Sequence, residues 1–129
     1  MDLKTARKIV QACLKAAEDQ GLSISAVVTD LSGNPVSLER MDDVSHINTE
    51  VAIKKARTAA GFKMPTHDLV EAVSRDQHLR MVVMTDQSLN VLPGGVPIED
   101  DTGTIVGALG VAGGFYLQDR AIAEFAIKS

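Results

Sequence analysis

The chain has 129 residues, 45% of them hydrophobic, with three Phe, one Tyr, no Trp and a formal net charge of −4. That length supports a single core, so one domain over 1–129 is expected, filled by aliphatic side chains and alanine. The acidic balance, with no basic run or interleaved aromatics, excludes a general nucleic-acid binder, and the absence of a long uncharged run predicts a soluble, cytoplasmic protein with no membrane span.

Ala6, Ile9, Val10, Cys13, Leu14 and Ala17 recur at helical spacing opposite Lys4, Lys8, Gln11, Lys15 and Glu18. This predicts an amphipathic helix over about residues 3–20, capped by Asp2 and ended by Gly21. Cys13, the single cysteine, lies on the apolar stripe and reads as a small buried hydrophobe; alone it makes no intrachain disulfide and no cysteine-based zinc site. Ser23 to Asp30 and Pro35 to Met41 alternate on either side of a Ser-Gly-Asn turn, which predicts a hairpin. Arg40 shares a face with Val36 and Leu38 and needs a partner, either a structural carboxylate or a bound anion.

From Ser45 or His46 to Ala60 the pattern is helical, with Ala52, Ala56, Ala59 and Ala60 forming a narrow surface suited to close packing on a sheet. Lys54 and Lys55 both neighbour Thr58 on this helix, either as a solvated lysine face or as part of a site. Gly61 is expected to end it and Pro65 to prevent its resumption, and Thr66 to cap a shorter helix running to about Arg75, with His67 in its first turn. Residues 77–92 are ambiguous: Met81–Met84 suits strand or helix, and Leu89–Leu92 reads as a strand entering the Pro93-Gly94-Gly95 turn. Val96–Glu99 and Thr104–Ala112 then make a second hairpin with an Asp-rich tip, and a last helix begins at about Gln118. Seven of the ten glycines fall from Gly94 to Gly114, so a helix, a subunit or a ligand must approach that backbone closely. The element order describes an antiparallel α+β layer structure.

Five segments, in order, resemble the GlcG/HbpS-like family: Val28-Thr29-Asp30 with the Gly33 turn, Arg40-Met41-Asp42, Lys55 to Ala60, Pro93 to Pro97, and Ile105 to Val111 leading to Gln118-Asp119. The resemblance spans nearly the whole chain, and the family includes haem-binding proteins, a glycolate-operon protein and the C-terminal domain of PduO-type corrinoid adenosyltransferases. It implies a profilin-like fold with a five-stranded antiparallel sheet and helices packed on its faces, and homo-oligomers up to octamers. Relatives commonly read Gly-Val-Ser-Gly where this chain has Gly110-Val111-Ala112-Gly113, so any role of that serine hydroxyl is absent.

The three histidines show no metal-hydrolase spacing, no nucleophile elbow or phosphate loop is present, and the scattered acids read as solvated surface; no metal is expected. Three functions stay open. The first is haem or tetrapyrrole binding in a shallow cleft or subunit interface, with His46, His67 and His78, in that order, as axial-ligand candidates, as the resemblance implies. The second is an organic-acid enzyme or sensor whose pocket, formed by Arg40, Lys55, Thr58, Gly94, Gly95 and Pro97, pairs a lysine with glycine-turn amides. The third is a structural accessory subunit of a catabolic operon. A homo-oligomer is expected from the flat small-residue surfaces and the resemblance together, with the Pro93–Pro97 turn beside the Lys55–Thr58 face lining the principal pocket.

Overall fold

A computed structural model describes all of residues 1–129. Its elements are α1 (Leu3–Asp19), β1 (Ser25–Asp30), β2 (Pro35–Arg40), α2 (His46–Phe62), α3 (Thr66–Arg75), α4 (Gln77–Thr85), β3 (Gly95–Glu99), β4 (Ile105–Ala112) and α5 (Tyr116–Ile127). The strands form one antiparallel sheet in the order β2-β1-β4-β3. The α+β architecture stands as the element order predicts it, but with four strands instead of five.

The missing strand is the one expected at Leu89–Leu92. Its backbone groups are committed to side chains: Asn90 N–H donates to Thr58 Oγ1 at 2.9 Å, Leu92 N–H to Asn90 Oδ1 at 3.0 Å, and Leu92 C=O accepts from Thr66 Oγ1 at 2.8 Å. Three of the groups that a ladder would use are thereby taken. Just before it, Asp76 resolves the ambiguous apolar run in favour of α4, because its Oδ1 accepts from the backbone of His78 and Leu79 at 2.9 and 3.1 Å. Val83 then points inward while Met81, Val82 and Met84 stay exposed.

Alternation along the strands divides the sheet into two faces. Ala26, Val28, Val96, Ile98, Leu109 and Val111 join Ile9, Val10 and Cys13 of α1 and Ile122, Ala123 and Ala126 of α5 in the main core. Burial pushes the Cys13 thiol up to about 12, so it stays protonated and inert. On the other face Val27, Ala108 and Ala112 meet Ala52, Ala56, Ala59 and Ala60 of α2. That interface is tight because two glycines are paired across the strands, Gly95 of β3 opposite Gly110 of β4. A Cβ on Gly110 would run into the Ala52 carbonyl oxygen and one on Gly95 into the Lys55 carbonyl oxygen. The element that approaches the glycine-rich backbone is therefore a packed helix.

Several boundaries differ from expectation. Gly61 does not end α2, which runs on to Phe62 and turns at Lys63 in a left-handed conformation (φ 55°). Pro65 takes the capping position of α3 with no side-chain bond, and Thr66 is its first residue, so the Thr66 hydroxyl is free to bond elsewhere. The last helix starts at Tyr116, before Gln118. No helix is long and apolar enough to cross a membrane.

Candidate functional site

The sheet-facing side of α2 carries Lys55 into the interior, where only 1% of its side chain is exposed. Its Nζ donates to Val111 C=O at 2.9 Å and to Asp119 Oδ2 at 3.2 Å. The other Asp119 oxygen accepts from Gly114 N–H at 2.9 Å. Gly94, held at φ +127°, completes the enclosure: a Cβ there would stand 2.9 Å from Lys55 Nζ and 2.7 Å from Val111 O. Burial lowers the affinity of the Lys55 amine for its proton, with the Asp119 carboxylate opposing that shift. Burial likewise raises Asp119 above the usual carboxylate range, against the pull of Lys55 and of the Gly114 and Gly113 amides. The arrangement joins α2, β4, α5 and the 93–95 turn at one point. Chemically it is closed, since the carboxylate that a lysine and glycine-turn amides would attract is supplied by the chain itself.

The corner after α2 has the opposite character. Lys63 and Pro65 lead into α3, whose first turn places His67 against a cavity of about 580 Å³. Val96 and Pro97 of β3 and Ile105 of β4 contribute apolar wall, as does Ile127 at the end of α5; Lys63 and Lys128 stand at the edge with Glu99, Asp100 and Glu124. Two of these carboxylates are engaged elsewhere. Asp100 Oδ1 accepts from Thr102 and Thr104 across the hairpin tip, and Glu124 pairs with Arg120. The His67 side chain keeps 15% exposure. Its Nδ1 is buried with no hydrogen-bond partner, while Nε2 lies 3.7 Å from Asp68 Oδ1, beyond hydrogen-bond range. An imidazole with no internal partner can serve as a donor to a ligand, which the satisfied Lys55 amine cannot.

Of the pocket candidates read from the sequence, Pro97 alone lines this cavity. Lys55, Gly94 and Gly95 are brought together, but as packed interior. Thr58 is also buried, its hydroxyl donating to Lys54 C=O at 2.7 Å and accepting from Asn90 N–H. Arg40 is exposed at the end of β2, the sheet edge farthest from β3, where its Nη1 reaches Val44 C=O at 3.5 Å. Among the histidines, His46 is exposed at the start of α2 and His78 is exposed in the first turn of α4; only His67 meets the cavity. Sequence reasoning passed over Asp119, Lys63 and Lys128. A buried lysine demands a carboxylate, which was a usable signal for Asp119 in the Gln118-Asp119 segment. The two cavity lysines carry no local pattern, because Lys63 at the corner after α2 and Lys128 at the end of α5 meet only in the fold.

Residues 1–128 match a family model described as haem degrading protein HbpS-like. The GlcG protein of Escherichia coli K12 is 36% identical over 107 residues, covering 83% of this chain and 77% of that protein. The crystal structure of Klebsiella pneumoniae protein ORFY superposes with a TM-score of 0.91 at 29% identity, covering 99% of this chain and 88% of the other. A crystal structure of a PduOC–haem complex superposes with a TM-score of 0.90 at 27% identity, covering 99% and 93%. The chain belongs to the HbpS-like family.

Proposed function

Taking membership of the HbpS-like family as the premise, we propose that this chain binds haem or a related tetrapyrrole in the cavity beside His67. The observation that carries the reading is the imidazole itself, enclosed at Nδ1 without a partner and set on the wall of the one large cavity-lining group that also holds apolar surface and two lysines. The donor set fits the group. Imidazole is a common axial ligand, Val96, Pro97, Ile105 and Ile127 suit the apolar macrocycle, and Lys63 and Lys128 suit its propionates. Because Nδ1 is enclosed, ligation from the cavity falls to Nε2. Haem bound there would supply an iron centre that a protein donor could ligate. The haem complex of the related PduOC supports the same reading.

The organic-acid reading has lost its cation, since Lys55 already holds Asp119. Self-association is part of the proposal. Met81, Val82 and Met84 of α4 are 59%, 59% and 76% exposed, an apolar stripe that a second copy would cover. Light scattering at micromolar concentration is expected to show an oligomer; a monomer removes this part. Haemin titration followed at the Soret band tests the site. His67→Ala is expected to abolish or strongly weaken the signal while His46→Ala and His78→Ala leave it intact. Equal behaviour of all three variants and the parent would overturn ligation by His67.

A further inference from the structure

The residue before His67 has a different task. Thr66 is fully buried, and its hydroxyl accepts from Gly95 N–H at 3.0 Å while donating to Leu92 C=O at 2.8 Å, with Gly95 C=O also within 3.3 Å. Its methyl faces the same glycine: a Cβ on Gly95 would lie 2.7 Å from Thr66 Cγ2. One side chain thus clasps the first turn of α3 to the turn that opens β3. The cavity walls on either side of that clasp are Pro65 and His67 on one flank and Val96 and Pro97 on the other. His67 has no hydrogen bond of its own at Nδ1 to orient its ring, so the position of the imidazole depends on the backbone that carries it.

We infer that Thr66 is the positioning residue for His67: its hydroxyl fixes the distance between α3 and β3, and through it where the imidazole stands in the cavity. This rests on the haem reading only for its consequence in binding, since the geometry belongs to the chain without any ligand. The hydroxyl is placed where a helix cap would be expected and does no capping, because Pro65 C=O already accepts from the Asp68 and Leu69 amides at 3.1 and 3.2 Å. It bridges two elements instead. Valine keeps the shape of threonine and loses both hydrogen bonds; serine keeps the bonds and loses the methyl.

The test compares the parent chain with Thr66→Val, Thr66→Ser and Val10→Ala, a core change on α1, an element that supplies no residue to the cavity wall. The primary readout is the imidazole nitrogen and carbon-bound proton resonances of His67 in the ligand-free protein, assigned by their absence in His67→Ala. Thr66→Val is expected to shift or broaden them, while Thr66→Ser and Val10→Ala leave them at the parent positions. Haemin affinity should follow, weaker by about tenfold in Thr66→Val, the worth of about one net hydrogen bond, and recovered in Thr66→Ser. Unshifted His67 resonances in Thr66→Val, or an equal shift in Val10→Ala, would overturn the inference. Should Thr66→Val not fold, Thr66→Ser still decides, since displaced His67 resonances with the hydroxyl retained would exclude it as the positioning group. A haemin affinity that ignores His67→Ala sinks the haem reading and leaves the ligand-free spectra to judge Thr66.

Discussion

Lys55 and His67 are both set by α2, one on the helix and one just past the corner that ends it, and both are largely buried. Lys55 finds a carbonyl, a carboxylate and a ring of enclosing glycine backbone. His67 finds no partner at Nδ1 and faces open volume. The contrast separates two uses of a buried polar group: one whose bonds are all internal holds elements together, and one left without a partner at a cavity wall is available for binding. It also explains why a lysine next to glycine-turn amides, which looks like an anion site in the sequence, is not one here.

The largest effect expected from breaking this contrast is at the ion pair. Lys55→Met or Asp119→Ala alone strands a buried charge and should cost about 3–5 kcal/mol in urea unfolding, whereas the double change Lys55→Met with Asp119→Leu should cost less than either single one. A double variant as unstable as the sum of the singles would contradict the account. Next comes the glycine beneath α2. Gly110→Ala should lose about 3 kcal/mol through backbone collision with Ala52, while Gly61→Ala, helical with nothing within 4 Å, should gain about 0.5–1 kcal/mol. Equal responses at these two positions would refute the close-packing explanation.

These two glycines also show what could be read from the chain alone. The amphipathic α1, the first hairpin and the alanine face of α2 follow from periodicity and small-residue spacing, and the glycine density announced a close approach. Which glycine meets the helix depends on strand register, which spacing does not state. The Leu89–Leu92 error has the same root: an apolar run is a strand only if its backbone groups are free to pair, and here Thr58 takes the Asn90 amide and Thr66 the Leu92 carbonyl from elsewhere in the fold, while the Asn90 side chain takes the Leu92 amide locally. For the site, the family segments pointed to Lys55 and the 93–97 turn, of which Lys55 and Gly94 form the structural junction while Val96 and Pro97 line the cavity; the order His46, His67, His78 rested on proximity in sequence to Arg40 and Lys54, which does not report burial. Arg40 lies at the far sheet edge, a fact of strand order.

At the other side of the contrast, His67→Ala should cost less stability than either single change at the ion pair, since it breaks no hydrogen bond, and still weaken haemin binding by tenfold or more. A large loss of stability without a change in affinity would make His67 a core residue. The smallest effect concerns acid. Hydrogen bonds within their turns hold Asp30 and Asp100 below the ordinary value of 3.8, led by the Asn34 amide for Asp30 and the Thr102 hydroxyl for Asp100. A carboxylate with a depressed folded value adds stability above its unfolded value, and loses it as pH falls from there through the folded one. Urea midpoints should therefore drop as pH falls through 3.8 and below it, and drop less in Asp30→Asn or Asp100→Asn. A steeper acid loss in those variants would reverse the sign argued here.

Titration of the 15N-labelled protein with zinc protoporphyrin, a diamagnetic stand-in for haem, tests the central claim most directly, because ring currents report where the macrocycle lies. The account predicts the largest shifts at the amides of Lys63, His67, Val96, Ile105 and Lys128, with Lys55, Gly114 and Arg40 little changed. Shifts concentrated around His46 and Arg40, or around Lys55 and the 93–95 turn, would contradict it.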